Sequence, residues 1–274
     1  MKRRSVKIVF FLFVIISINL YSRQWPDDFN NLSGYFAGSC NGSFCMGLEF
    51  NSSGKRIKPW GSGEIIWKSE NNIRKADIPG RSLIVMEHED GFRSVYLNVE
   101  KRPDIENKMS GNEWIGYSSG EPWIFEILDV KKDKLVNPVS LLPEVKHEEP
   151  EDTFMLSADG GKSIIRNNSV IEKGSKNIVV KHQYSGAVSL IPLEITLYWI
   201  GEKLGSYSFE TLERVNEKVI LGGSGNGEYR SVYDRSGNLI FRNVFLRSAK
   251  GKLELQISCE NGKVFFYSWN VTVR

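Results

Sequence analysis

Short segments in which apolar and polar residues alternate constrain the fold of this chain more than any other feature. Five such segments are rich in β-branched and aromatic residues, at positions 82–87, 93–99, 177–182, 193–199 and 263–273. Alternation at period two is typical of β-strands with one buried face. Turn sequences rich in Gly, Asn and Asp lie between them, and no stretch carries an apolar helical face over three turns. The sequence therefore predicts an all-β protein.

The first 22 residues have the composition of an export signal. Several basic residues precede an apolar run at positions 8–20, which has the length of a signal-peptide core. A transmembrane helix needs roughly twenty apolar residues, so a cleaved signal is the stronger interpretation. We therefore expect residues 1–22 to be a signal peptide. The mature protein is then exported to the periplasm or cell envelope and has no transmembrane segment.

Charge and cysteine content narrow the classes of function. The formal net charge is +3, and the basic N-terminal segment accounts for it, so the chain lacks the basic excess of a nucleic-acid-binding protein. The chain has three cysteines, an odd number for an exported protein. Cys40 and Cys45 are close enough for a local disulfide that excludes Cys259. The alternative is that all three thiols are reduced and partly buried.

An acidic segment bounded by prolines divides the chain. Residues 143–152 read PEVKHEEPED and offer almost nothing that a core could bury, which is typical of an interdomain linker. We predict a first domain at 23–143, a linker at 144–152 and a second domain at 153–274. Strand candidates in the second domain recur about every ten residues, as in an immunoglobulin-like β-sandwich. The Cys–Trp–Cys core signature of that fold is absent from it.

Three segments share the order and spacing of the motifs of one peptidase family. They read FCMGLEF at 44–50, HEDGFRSVYLNVEK at 88–101 and GEPWIFEI at 120–127. In this order they resemble the HxGxD box, the glycine hairpin and the HLHFE strand of the LytM-type zinc peptidases of family M23. The resemblance extends over roughly residues 32–143. Members of that family cleave peptidoglycan cross-links with one zinc ion, so the resemblance implies a LytM-like β-sheet domain.

The residues that bind zinc in the family are replaced here. Cys45 stands at the position of the first His ligand, Glu49 at that of the Asp, and Ile124 at that of the last His. The two catalytic histidines correspond to Asn98 and Pro122. A catalytic zinc needs three protein ligands and an open position for water, whereas an isoleucine has no lone pair to donate. The resemblance therefore implies a pseudo-enzyme without catalytic residues or a zinc cofactor.

Aromatic residues fall on the turns that would edge the family's substrate groove. Trp60, Trp114, Trp123 and Asn98 are candidate binding residues, because aromatic faces can stack on sugars or hold a partner's apolar side chain. The alternative is that the indole rings fill the space left by zinc and its ligands. His88 lies in the glycine hairpin, where a turn-stabilising role is the simpler interpretation.

The leading hypothesis is a non-catalytic, exported cell-envelope protein that binds peptidoglycan or regulates a cell-wall hydrolase. The resemblance favours it, because degenerate LytM-type domains are known as regulators of amidases. Two alternatives stay open. One is an active zinc metalloendopeptidase of peptidoglycan with an atypical site that uses Cys45, Glu49 and a residue from elsewhere. The other is a surface adhesion protein built from two β-sandwich modules.

Overall fold

The structure, a computed structural model, is built almost entirely from β-strands. The residues it describes are 23–69, 82–145, 153–183, 191–222, 227–259 and 262–274. The predicted signal peptide and most of the predicted linker lie outside them. Strands dominate both halves of the chain, so the all-β prediction is confirmed. No helix within the described ranges is both long enough and apolar enough to cross a membrane.

Short strands and a few single helical turns make up the secondary structure. The strands before the predicted linker are β1 (Leu32–Gly34), β2 (Ser39–Cys40), β3 (Ser43–Phe44), β4 (Leu48–Phe50), β5 (Ser53–Ile57), β6 (Gly63–Ser69), β7 (Leu83–Glu87), β8 (Phe92–Leu97), β9 (Val99–Lys101), β10 (Lys108–Met109), β11 (Gly116–Ser119), β12 (Trp123–Asp129) and β13 (Lys134–Val136). Those after it are β14 (Thr153–Ala158), β15 (Ser163–Ile165), β16 (Ser169–Ile171), β17 (Gly174–Gln183), β18 (Pro192–Trp199), β19 (Glu202–Ser208), β20 (Thr211–Val215), β21 (Lys218–Leu221), β22 (Leu239–Leu246), β23 (Ala249–Cys259) and β24 (Val264–Val273). The helical turns are the 3-10 segments Phe29–Asn31, Pro138–Leu141 and Asp159–Gly161 and one α-helical turn, α1 (Tyr229–Val232).

The largest sheet contains strands from all three motif segments. Its order is β10-β6-β7-β8-β12-β13-β20-β21; β4 shares an edge of β12 with β13, and β1 pairs with β4. Strands β5, β11 and β9 form a separate small sheet, and β2 and β3 form a hairpin. Strand β13 precedes the predicted linker and β20 follows it, and Val136 lies opposite Thr211. One hydrogen-bonded sheet therefore runs through both halves of the chain.

Two further sheets pack face to face in the second half. Their strand orders are β15-β14-β17-β22 and β16-β24-β23-β18-β19. Rings from the two layers are in contact: the centroids of Phe154 and Tyr267 are 5.0 Å apart, and those of Tyr207 and Phe241 are 5.2 Å apart. This arrangement is a β-sandwich, and its immunoglobulin-like character stays a prediction.

The alternation along β12 explains the register of the main sheet. Trp123, Phe125 and Ile127 are buried on one face, whereas Ile124 and Glu126 are partly exposed on the other. Full burial of a large apolar side chain contributes about 1.5–3 kcal/mol. A shift of one residue would turn all three buried side chains to the opposite face, so this register is strongly favoured.

Hydrogen bonds and ring contacts join the two halves. Tyr233 Oη donates to the carbonyl oxygen of Ala37 at 2.9 Å, and Tyr229 Oη lies 2.6 Å from Ser39 Oγ. The ring of Phe44 packs edge-on against both tyrosines. Because Tyr233, Ala37 and Phe44 are all buried, this junction is part of the core.

Candidate functional site

Two of the five replaced motif positions meet in the ladder between β4 and β12. Glu49 lies directly opposite Ile124, and Ile124 lies opposite Leu97 on β8. Residues directly opposite each other have Cβ atoms about 4.5–5.5 Å apart. Gly34 on β1 extends this row beyond Glu49. The two positions that the sequence aligns with an Asp and a His ligand are therefore neighbours, occupied by a carboxylate and an aliphatic side chain.

Asn98 and Pro122, which the sequence aligns with two catalytic histidines, are joined by a hydrogen bond. Asn98 follows β8 with φ of 64°, a left-handed conformation that Asn adopts more readily than most residues. Its side chain is buried, and Nδ2 donates to the carbonyl oxygen of Pro122 at 2.8 Å. Its backbone N–H donates to Ser82 O at 2.9 Å. Asn98 thus holds the end of β8 against the entry to β12.

Cys45 forms a disulfide with Cys40, and the two Cα atoms are 5.1 Å apart. Of the two alternatives for the cysteines, the structure therefore contains the local disulfide, in which Cys259 takes no part. The bond closes the β2–β3 hairpin. A cysteine binds zinc as a thiolate, so Cys45 offers no metal ligand while it is in the disulfide. No group of three or more His, Cys, Asp or Glu side chains that could hold a metal ion occurs within the described ranges.

Two of the three candidate tryptophans belong to the hydrophobic core. Trp60 is 1% exposed and Trp123 is 0% exposed. The Trp123 ring stacks on Phe50 with centroids 4.7 Å apart, and its Nε1 donates to Ser52 Oγ at 3.1 Å. The Trp60 ring packs edge-on against His88 at 4.9 Å. Neither indole presents a face to solvent, so these two residues do not provide the exposed binding faces suggested by the sequence.

Trp114 retains exposed surface and forms a mixed aromatic and cationic cluster. Its ring centroid is 4.5 Å from that of Tyr117. The guanidinium groups of Arg56 and Arg102 each lie 5.2 Å from the Trp114 ring centroid, within the range of a cation–π contact. The cluster is next to the small β5-β11-β9 sheet. Trp114 is therefore the one predicted aromatic binding residue with exposed surface.

His88 is held inside the hairpin between β7 and β8 by both ring nitrogens. Nδ1 is 2.9 Å from the carbonyl oxygen of Ser62, and Nε2 is 2.8 Å from Ser94 Oγ. Because a carbonyl oxygen only accepts, Nδ1 donates there and Nε2 accepts from the Ser94 hydroxyl. Burial lowers the pKa of His88, which favours the neutral ring. These contacts give His88 a structural role in the turn.

Glu126 is a potential functional residue that stands out in the sequence only as part of the GEPWIFEI segment. It lies on β12 opposite Val95, which lies opposite Val85 on β7. Burial of its carboxyl group raises the pKa of Glu126 to about 7, although the residue as a whole keeps partial exposure. Gly47 passes close to its Cγ, and a Cβ at Gly47 would overlap the carbonyl oxygen of Phe125. The only sequence signal was the Phe-Glu pair that follows the missing His.

Two cavities lie beside the main sheet. One, of about 590 Å³, borders the β7–β8 hairpin and is lined by residues that include Trp60 and His88. The other, of about 480 Å³, lies between the two halves, and Cys45 and Glu49 are part of its wall together with His182 on β17. The second cavity therefore brings together two of the three positions that the sequence aligns with zinc ligands.

Comparison with known proteins gives low similarity. One protein-family model matches residues 149–274. No curated protein matches the chain. Thirteen chains of solved structures match. They include Helicobacter pylori Csd3, with 15% identity and a TM-score of 0.36 over 48% of this chain and 37% of Csd3. They also include CbpA of L. salivarius REN, with 15% identity and a TM-score of 0.33 over 44% of this chain and 94% of CbpA.

The matched region spans little more than a third of the length of Csd3. Both TM-scores are below 0.5. The family-model match covers less than half of the chain.

Proposed function

We propose that the protein is an exported, non-catalytic cell-envelope protein. In this proposal the first half is a degenerate LytM-like domain that binds peptidoglycan peptides without cleaving them. The observation that carries the proposal is the state of the five motif positions. Ile124 stands beside Glu49 where a His ligand would be required, Cys45 is held in a disulfide, and the Asn98 amide is bonded to Pro122.

The chemistry of these side chains supports binding over hydrolysis. Peptide hydrolysis by the family mechanism needs an activated water and groups that stabilise the developing oxyanion. Ile124 cannot bind a metal, and the ring of Pro122 has no group that donates or accepts a proton. The partly exposed face of β12 instead carries the apolar side chain of Ile124, with the carboxyl group of Glu49 on the neighbouring strand opposite it. Such a surface suits an amphipathic peptide.

The proposal is tested by incubating the purified protein with isolated peptidoglycan sacculi. We expect the protein to sediment with the sacculi and to release no soluble muropeptides, as measured by chromatography of the supernatant. Trp114→Ala tests the exposed aromatic cluster, and Trp67→Ala, which changes an exposed tryptophan on β6, is the matched control. Muropeptide release that increases with protein concentration would contradict the proposal, as would a protein that stays in the supernatant.

A further inference from the structure

The described residues that line the cavity between the two halves include one acidic side chain, Glu49, and one histidine, His182. The first half contributes residues between 33 and 49, and the second half contributes residues from β14, β17, β18 and the segment 233–239. Glu49 is the sole carboxylate among the described residues that line the cavity, and none of those residues is Lys or Arg. The carboxylate therefore has no cationic neighbour in the cavity wall.

The position of Glu49 is fixed by the sheet and by one hydroxyl group. Ser33 Oγ donates to Glu49 Oε1 at 3.2 Å. A Cβ at Gly34 would lie 3.1 Å from the Cβ of Glu49, so the β1 backbone runs directly beside the side chain. The second carboxylate oxygen, Oε2, has no hydrogen bond among the described contacts. A partly enclosed carboxylate in this state is stabilised by a ligand that brings a positive charge and an N–H donor.

Aromatic rings form one wall of the cavity. The ring of His182 stacks on Phe154 with centroids 4.5 Å apart, and its centroid is 5.7 Å from that of Tyr35. All three residues line the cavity. Aromatic faces attract cations and pack against the methylene groups of a long side chain. This wall therefore suits an aliphatic chain that ends in a positive charge.

A turn stabilised by hydrogen bonds forms part of the rim of the cavity. Asp234 Oδ1 accepts hydrogen bonds from the backbone N–H groups of Ser236 at 2.8 Å and Asn238 at 2.9 Å. Gly237 approaches Ser39 so closely that a Cβ there would lie 2.5 Å from Ser39 Oγ. The rim is thus held in place without a ligand, which lowers the conformational entropy lost on binding.

We propose that this cavity binds the primary ammonium group of an aliphatic side chain in a peptide, with Glu49 as its ion-pair partner. A compact ammonium group can bond to Glu49 Oε2 alone, whereas a guanidinium group is suited to two parallel hydrogen bonds with both oxygens of a carboxylate. The inference rests on the proposed function and deepens it, because a wall peptide that contains a diamino acid carries such an ammonium group. The ammonium group is then the part of the wall peptide that the cavity recognises.

The test uses the peptide acetyl-L-Lys-D-Ala-D-Ala and its Nε-acetylated form, titrated into the full chain by calorimetry. Glu49→Gln removes the charge and keeps the acceptor for Ser33, and Ser236→Trp places a large ring at the rim. Glu106→Gln changes an exposed carboxylate outside the cavity and serves as the control. A hydrogen bond to a charged group contributes enough to change affinity by roughly 10-fold to 100-fold.

We expect the lysine peptide to bind to the unmodified protein and to the Glu106→Gln protein with equal affinity. Acetylation of the amine, Glu49→Gln and Ser236→Trp should each weaken binding by roughly tenfold or more. Equal binding of the two peptides would overturn the inference, as would unchanged binding to Glu49→Gln. If Glu49→Gln fails to fold, the acetylated peptide and Ser236→Trp decide the outcome.

Failure of this inference can be distinguished from failure of the proposed function. Sacculi that bind the protein while the lysine peptide does not would overturn the cavity assignment and leave the proposed function intact. Amine-dependent peptide binding by a protein that ignores sacculi would support the cavity assignment and contradict the proposed function.

Discussion

Replacement of Glu126 by Gln should change how the stability of the protein depends on pH. The Glu126 carboxyl group lies on the partly exposed face of β12 between valine and isoleucine positions, and burial raises its pKa to about 7 from an ordinary value of 4.5. The folded protein therefore binds a proton more tightly at this site than the unfolded chain does. Glutamine resembles the protonated acid in shape and cannot ionise.

The sign and size of the effect follow from proton linkage. Because the folded pKa is the higher one, the contribution of Glu126 is fully present below pH 4.5 and is lost as the pH rises to about 7. The contribution of Glu126 to the free energy of unfolding should fall by about 2.5 kcal/mol between pH 5 and pH 8. His88 acts in the opposite direction, since burial lowers its pKa. That contribution is common to both proteins and cancels in their difference.

The assay is urea denaturation of the wild-type and Glu126→Gln proteins at pH 5, 6, 7 and 8. We expect the variant to gain stability relative to wild type as the pH rises, with a change of about 2.5 kcal/mol across this range. Glu64→Gln, at an exposed position on β6, is the control and should follow the wild-type profile. A difference between Glu126→Gln and wild type that does not vary with pH would show that the pKa of Glu126 is not raised in the folded protein.

Three other changes test the packing around the site. Gly47→Ala forces a methyl group into the β12 backbone and should lower the free energy of unfolding by about 1–3 kcal/mol; an unchanged urea midpoint would contradict this packing. Replacing Cys40 and Cys45 together by Ser removes the disulfide that closes a short loop. This change should lower the free energy of unfolding by roughly 2 kcal/mol, and reduction of the wild-type protein should give the same loss. Tyr233→Phe removes the hydrogen bond from Tyr233 to Ala37 that helps to join the halves. The change should lower the free energy of unfolding by about 1 kcal/mol and speed amide exchange in the β2–β3 hairpin. Unchanged exchange would show that this hydrogen bond does not hold the hairpin against the second half.

The local pattern of the sequence was sufficient to predict five of the longer strands. The segments at 82–87, 93–99 and 193–199 correspond to β7, β8 and β18 within one or two residues, because alternation reports directly which face is buried. The pairing of β13 with β20 could not be predicted in this way. It joins residues on either side of an acidic segment, and the choice of partner depends on tertiary packing that no local pattern encodes.

The site was predictable in part. The motif order aligned Glu49 and Ile124 with zinc-ligand positions of the family, and Asn98 and Pro122 with catalytic ones. The contacts within each pair depend on how the strands β4, β8 and β12 are paired. The burial of Trp123 follows the alternation along β12. The burial of Trp60 was not predictable, because an aromatic residue between two strands has the same local sequence whether its ring faces solvent or the core. The wall that the second half supplies beside Glu49 was also missed, since it arises only when the two halves pack.

The zinc content of the purified protein, measured together with peptidoglycan digestion on the same preparation, tests most directly whether the protein is a peptidase. We expect zinc well below one ion per chain and no release of muropeptides, even after incubation with added zinc. One zinc ion per chain together with muropeptide release would show instead that the protein has a working peptidase site.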